Sequence, residues 1–381
     1  MTTMTPAASA VTRTLFPQTP SKGRVYNFSA GPACMPESVL EQIREELLDC
    51  RGGGIGLLEL SHRGALYEKL NNEAEAACRK AAGVDSDYSV FFMPGGATVQ
   101  FGLLPLNFLG ENDTAAYIDT SIWSHKAYTE ALSCRKVTVA FDGRALKYSR
   151  VPKKGEFAEP KDAKYLLYCQ NNTVEGTTFW APPETSLPLI GDATSDIFSR
   201  PWDFTRHAMV LAAGQKNLGA SGASLVIARK DFLASATTRI PQILRFEEHA
   251  KAGSRLNTPP TFAVRVIGLM AEWTLSVGGP EAIAKNNAYK ANLIWDAVDN
   301  SGGFYSWPAE KWCRSHLNVC FRTPKAELDA KFVAEAEKHG LFGLLGHRDA
   351  GGMRASIYNS FPVKGCEILA DFMGEFARTN G

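Results

Sequence analysis

Short apolar runs alternate along most of the chain with stretches whose apolar residues recur every three or four positions. The runs Tyr88–Met93, Ala115–Ile118, Lys136–Phe141, Tyr165–Cys169, Leu187–Ile190, Met209–Ala212 and Leu225–Ala228 predict strands. Several are apolar throughout, the mark of strands covered on both faces. Between them lie helical patterns. Pro36 followed by Val39, Leu40, Ile43 and Leu47 predicts an amphipathic helix with proline in its first turn, closed by the glycines from Gly52 to Gly56. Pro94-Gly95-Gly96 is a turn, and Ala97 opens a helix through Phe101, Leu104 and Leu106. Strands alternating with helices predict an α/β fold with a mostly parallel sheet.

The pattern changes after about Trp273. A long helix is predicted over Glu281–Val298, with Ile283, Tyr289 and Ile294 on its apolar side. A strand at Leu317–Phe321, a helix over Ala326–His339 stopped by Gly340, a strand at Met353–Tyr358 and a helix at Ile368–Phe376 follow. This predicts a large domain over 25–275 and a smaller α+β domain over 276–381. The first 24 residues hold Arg13, Lys22 and Arg24 but no acid, the first being Glu37. They read as a disordered leader, with an organelle transit peptide as the alternative. No internal repeat interrupts the rest.

Length and composition narrow the picture. The 381 residues, 45% hydrophobic and 21% charged, are ample for a real core. A net charge of +1 draws the protein toward neither nucleic acid nor membrane. Arg265 interrupts the longest apolar stretch, Phe262–Met270, well short of a bilayer span. Eight cysteines without CxxC spacing, and no cluster with the seven histidines, point to a reducing compartment and metal-free chemistry.

Candidate chemistry centres on Leu211-Ala212-Ala213-Gly214-Gln215-Lys216-Asn217-Leu218-Gly219. One lysine stands among small residues just past an apolar strand, where the small neighbours leave room for a flat, bulky group. Desolvation there would lower its pKa, and a neutral amine forms a Schiff base with an aldehyde. Asp192 ends another apolar run about one crossover unit upstream. An acid and an amine at neighbouring strand ends suit pyridoxal phosphate, the acid keeping the ring nitrogen protonated and the lysine holding the aldehyde. Asp192 could instead cap a turn before Thr194 and Ser195.

Other residues fit around that pair. Gly95-Gly96-Ala97-Thr98 follows a strand and opens a helix, a place for an anion, and it is neither a Walker loop nor GxGxxG. Trp123 follows a strand ending near Asp119 and could stack on a ring, though with seven tryptophans a core position is as natural. Thr173 follows the strand at Tyr165–Cys169, where its hydroxyl could meet a ring oxygen or cap a turn. Ser61-His62-Arg63, Gly346-His347-Arg348 and Arg354 supply more cationic forks than one α-carboxylate needs, so a substrate with two anionic groups is expected if they converge.

Taken together, these motifs resemble the phosphoserine aminotransferases, class V aminotransferases dependent on pyridoxal phosphate. The likeness runs from Asn27 to Phe376 and rests on Asn27-Phe28-Ser29-Ala30-Gly31-Pro32-Ala33, Glu59 to Arg63, Gly214 to Asn217, Asn257 to Phe262, and Gly346 to Asn359. It implies a fold-type I architecture in which the first residues after the leader pack on the small domain. It implies that Lys216 binds the cofactor aldehyde and shuttles a proton, and that Asp192 pairs with the ring nitrogen. Trp123 would stack on the ring and Thr173 would face its hydroxyl. Ala97, Thr98 and Gln215 would hold the phosphate, with Asn257 and Thr258 from a partner subunit. Ser29 and Arg354 would meet the substrate, and His347 and Arg348 would join His62 and Arg63 of the other subunit at its distal anion. A homodimer with shared sites, a cytoplasmic enzyme of serine biosynthesis, and L-glutamate and 3-phosphohydroxypyruvate as substrates follow from the same likeness. Two departures stand out: Thr98 where some members carry a basic residue, and Asn172 where glutamate is usual. A cysteine desulfurase on the same scaffold and a non-catalytic cofactor binder are the competing readings.

Overall fold

The computed structural model describes residues 23–381. The leader expected over 1–24 lies outside the described residues apart from Gly23 and Arg24. In chain order the strands are Tyr26–Asn27 (β1), Tyr88–Pro94 (β2), Thr114–Asp119 (β3), Val137–Asp142 (β4), Ala163–Cys169 (β5), Asn171–Asn172 (β6), Thr177–Thr178 (β7), Leu189–Asp192 (β8), Met209–Ala213 (β9), Ala223–Arg229 (β10), Asn318–Phe321 (β11), Leu341–Phe342 (β12) and Met353–Ser356 (β13). The helices are Glu37–Glu46 (α1), Ala65–Ala82 (α2), Ala97–Phe108 (α3), Ile122–Leu132 (α4), Lys230–Ala234 (α5), Phe246–Lys251 (α6), Thr261–Ser276 (α7), Gly279–Asp299 (α8), Ala326–Lys338 (α9) and Val363–Asn380 (α10).

A seven-stranded sheet, ordered β2-β10-β9-β8-β5-β3-β4, organises the larger body. It is parallel from β9 to β4, and β10 runs antiparallel to both of its neighbours. Successive residues enter opposite cores, as a period of two requires. Phe92, Val210, Ala212 and Ile227 pack with α2 and α7, whereas Met93, Met209, Leu211 and Val226 pack with α3 and α4. The predicted strand at Leu187–Ile190 lies two residues later, so Asp192 is the last residue of β8.

The alternation of runs did not reveal α2 or α7, and each has its reason. In α2 half of the buried residues are alanine, too small for a strong periodic signal. Nearly all of α7 is buried, so apolar residues ring it. Gly268 of α7 lets α2 approach closely: a Cβ there would stand 2.7 Å from that of Ala74. Arg265 sits inside this apolar helix because its guanidinium grips Glu46 of α1 at 2.8 and 2.6 Å.

The smaller body holds an antiparallel β11–β13 pair and a parallel β1–β12 pair under α8, α9 and α10. Its core is aromatic, with Phe28, Trp295, Tyr305, Phe321, Phe332 and Phe376. One helix serves both bodies: Ile283 of α8 packs with Trp273 and Val277, while Ile294 and Trp295 pack in the aromatic core. The last helix is longer than the predicted Ile368–Phe376, and β13 stops at Ser356 rather than Tyr358.

Candidate active site

Asp192 and Lys216 come together because β8 and β9 are adjacent and parallel, with Asp192 in register with Leu211. Both side chains emerge at the carboxyl end of the sheet, where such folds bind ligands. The loops beyond the two strands are stitched to one another. Ala193 N donates to Leu211 O at 2.7 Å, and Ala213 N donates to Thr194 Oγ1 at 3.1 Å. Asn217 Nδ2 reaches Ser195 O and Ile197 O, both at 3.1 Å, and Asn217 Oδ1 accepts from Asn359 N at 3.1 Å. The lysine loop is thereby tied to the aspartate loop and to the smaller body.

The small residues around Lys216 serve the backbone rather than making room for a ligand, which corrects the expectation above. A Cβ on Gly214 would lie 2.0 Å from Ala220 O, so the loop closes on itself only with glycine there. Gly219, at φ +88°, would press its Cβ against Val266, Met270 and Met35.

A cavity of about 470 Å³ opens between the strand ends, the α3 N-terminus and the smaller body. Of the predicted residues, Ala97, Thr98, Trp123, Thr173, Asp192, Gln215, Lys216, His347 and Arg354 line it. Burial pulls the Lys216 amine down from 10.5 to about 8, with Asp192 opposing the shift and Arg354 adding to it. Asp192 Oδ1 accepts from Thr194 N at 2.9 Å, so the turn-capping role holds alongside the ligand-facing one. Arg354 Nη1 donates to Thr173 O at 3.3 Å, and the residue lines the cavity. His347 stands 6.5 Å ring to ring from Trp123, and burial lowers its pKa.

The remaining predicted residues do not line the cavity in a single chain. Asn257, Thr258 and Arg63 are exposed, and His62 is half-buried. Arg348 extends into solvent with its Nε 3.6 Å from Asp349. Ser29 packs against Gly343, where a Cβ would meet its Oγ at 2.6 Å. Ala30, Gly31, Asn171, Thr194, Ser195, Ser221 and Gly222 also line the cavity. Ala30 and Gly31 belong to the Asn27–Ala33 motif and Thr194 and Ser195 to the turn after Asp192, whereas Asn171, Ser221 and Gly222 carry no sequence signal beyond closeness to the quoted motifs. Asn172 is not left idle by its departure: it accepts from Thr120 Oγ1 at 3.4 Å and donates to Thr177 Oγ1 at 2.9 Å.

The site fits pyridoxal phosphate on its own geometry. Gly96, the N-cap of α3, has no side-chain cap, so the helix presents bare amides and its positive dipole end to the cavity. At the other end stand a carboxylate and a desolvated amine. The volume suits a small cofactor plus substrate. Among the described residues no group of three or more His, Cys, Asp or Glu is placed to hold a metal ion, and no helix is long and apolar enough to cross a membrane.

The aminotransferase class-V family model matches residues 25–369. A phosphoserine aminotransferase from Herpetosiphon aurantiacus is 44% identical over 358 residues, which is 94% of this chain and 99% of that protein. The solved phosphoserine aminotransferase from Bacillus circulans subsp. alkalophilus has a TM-score of 0.92 at 43% identity, covering 94% of this chain and all of that one (100%). The pyridoxal-phosphate-bound phosphoserine aminotransferase from Trichomonas vaginalis has a TM-score of 0.87 at 34% identity, covering 92% and 99%. The fold-type I expectation is borne out by these likenesses.

Proposed function

The chain belongs to the aminotransferase class-V family, and from that premise we propose that it exchanges an amino group between L-glutamate and 3-phosphohydroxypyruvate, giving 2-oxoglutarate and O-phospho-L-serine. Relatives at 41–44% identity across more than nine-tenths of the chain carry the name of that activity. The observation that carries the reading is the pairing of Lys216 with Asp192 in one cavity that ends at the uncapped start of α3.

Pyridoxal phosphate supplies an aldehyde for the lysine and a ring that takes up electrons as the substrate α-proton leaves. Asp192 would hold the ring nitrogen, Trp123 would cover the ring face, and Thr173 would meet the ring hydroxyl. Ala97, Thr98 and Gln215 would hold the phosphate. Arg354 would take the α-carboxylate and set the α-carbon in place. Lys216 Nζ, with a pKa near 8, is suited both to take the α-proton and to return it. His347 and Arg348 would meet the distal anion. One cluster can serve a γ-carboxylate and then a phosphate, because both are compact anions with several acceptor oxygens.

The assembly belongs to the same proposal. Asn257, Thr258, His62 and Arg63 stand outside the cavity of their own chain, which is consistent with donation to a second copy, and hence with a homodimer. We also propose the division into bodies over 25–275 and 276–381, with the first residues of the former packed on the smaller body, supported by the separate cores. A cytoplasmic location agrees with the free thiols of all eight cysteines. No cysteine lines the cavity among the described residues, which disfavours a desulfurase. Purified protein supplied with the cofactor, glutamate and 3-phosphohydroxypyruvate should form 2-oxoglutarate and O-phosphoserine in equal amounts. Absence of both products would overturn the assignment.

A further inference from the structure

Glu175 is a buried carboxylate two residues past Thr173, and the reading above gives it no task. Its side chain crosses to another element. Glu175 Oε1 accepts from Ile122 N at 2.8 Å, at the first turn of α4, while Oε2 is buried with no partner. Three other amides of that turn are served from within it. Ser121 Oγ accepts from Ser124 N at 3.0 Å, and Ser124 Oγ accepts from Thr120 N and Ser121 N, both at 2.8 Å. Ile122 N is served from outside the turn, by Glu175. A carboxylate there also meets the positive end of the α4 dipole. The next residue is Trp123, 37% exposed on the cavity wall.

The backbone around Glu175 is held from the opposite side by the C-terminal part of the chain. Arg354 Nη1 donates to Thr173 O at 3.3 Å, Cys320 Sγ to Val174 O at 3.4 Å, Trp307 Nε1 to Glu175 O at 2.8 Å, and Ser315 N to Gly176 O at 2.8 Å. Gly176 takes φ +71°, and a Cβ there would stand 3.3 Å from Asn318 O. Four successive carbonyls are thus fixed by the smaller body, and the one side chain that reaches α4 grows from the middle of them.

We propose that Glu175 is a positioning residue for Trp123, tying the tryptophan-bearing turn of α4 to the segment that Arg354 anchors. The inference rests on the reading of this cavity as the cofactor site. Its consequence is geometric. The wall that covers the cofactor ring and the arginine that takes the substrate carboxylate are set by one five-residue link from Asn172 to Gly176, so neither moves alone.

The test titrates apoprotein with pyridoxal phosphate and records visible circular dichroism of the bound cofactor, alongside the melting temperature of the apoprotein. Glu175→Gln keeps the acceptor for Ile122 N and should match wild type in dichroism and affinity. Glu175→Asp keeps the charge but is too short to reach α4. It should bind the cofactor about tenfold more weakly and lose much of the band, as should Glu175→Ala. Wild-type behaviour of both Asp and Ala variants would overturn the proposal. So would a Gln variant as impaired as Asp, which would make the charge rather than the bond responsible. Loss confined to the apoprotein melting temperature, with normal dichroism, would leave only a structural role and would also overturn it. If wild type itself gave no visible band, the cofactor reading would fail first, whatever the variants did.

Discussion

Cys169 Sγ lies 3.5 Å from Asp192 Oδ2, and the two residues are register partners across β5 and β8. The thiol is buried, and burial together with the facing carboxylate pushes its pKa far up, so it stays a donor. With Thr194 N on Oδ1, each oxygen of Asp192 is held by one donor. The orientation of the carboxylate is therefore set by the neighbouring strand and by the turn that follows its own.

Cys169→Ala should leave the fold intact and weaken cofactor retention by several-fold, since one neutral donor is worth about 1 kcal/mol. Cys169→Ser should restore most of the loss. Equilibrium dialysis of the two variants is the check, and an alanine variant with unchanged retention would refute the role.

Lys216→Ala should abolish turnover and the covalent attachment of the cofactor. Borohydride reduction of wild type followed by peptide mass mapping should find the tag at Lys216. A tag at another residue, or residual wild-type turnover, would remove the basis of the assignment.

Arg354→Ala should lower kcat/KM about 30- to 150-fold for every amino donor, because each presents the same α-carboxylate to a charge-assisted bond worth about 2–3 kcal/mol. Arg348→Ala should hurt glutamate more than alanine. Equal losses for the two donors in the Arg348 variant would refute the division of labour.

Glu46→Ala should cost about 3 kcal/mol, because it leaves the buried Arg265 guanidinium with only the half-exposed Glu272 carboxylate, 3.9 Å away. Chemical denaturation of the apoprotein measures this directly. A loss below about 1 kcal/mol would show that the pair is not the anchor it resembles.

Burial raises the Glu175 carboxyl from 4.5 to about 7, against the pull of the Ile122 amide and Arg354. A carboxyl whose folded pKa exceeds its unfolded value contributes stability below pH 4.5 that is lost as pH rises through 7. Wild type should therefore lose about 3 kcal/mol between pH 4.5 and 8 that Glu175→Gln keeps. Parallel pH dependences for the two proteins would contradict the shift.

Much of the site was readable from side-chain chemistry at strand ends. Lys216, Asp192 and the Gly96–Thr98 turn declare themselves because an amine, an acid and bare amides sit directly after apolar runs. Residues that act across elements left no such trace. Glu175 looks like any loop carboxylate until its reach to Ile122 is seen, and Arg265 looks only like a break in an apolar run until its grip on Glu46 is seen. Gly214 was read as open space, yet it is the most crowded glycine of the lysine loop. His62, Arg63, Asn257 and Thr258 belong to no cavity of one chain, so only the family likeness gave them a place. Among the helices, α2 and α7 escaped because alanine and all-round burial blur the 3.6-residue period.

The pairing of β1 with β12 has a consequence for synthesis. Phe28 is among the first described residues to leave the ribosome, yet the surface that shelters it is built from Leu341, Phe361 and Leu369. For most of translation that ring has no native neighbour. A nascent chain must keep its own beginning uncommitted until its end is made, and contacts of such long sequence separation close slowly.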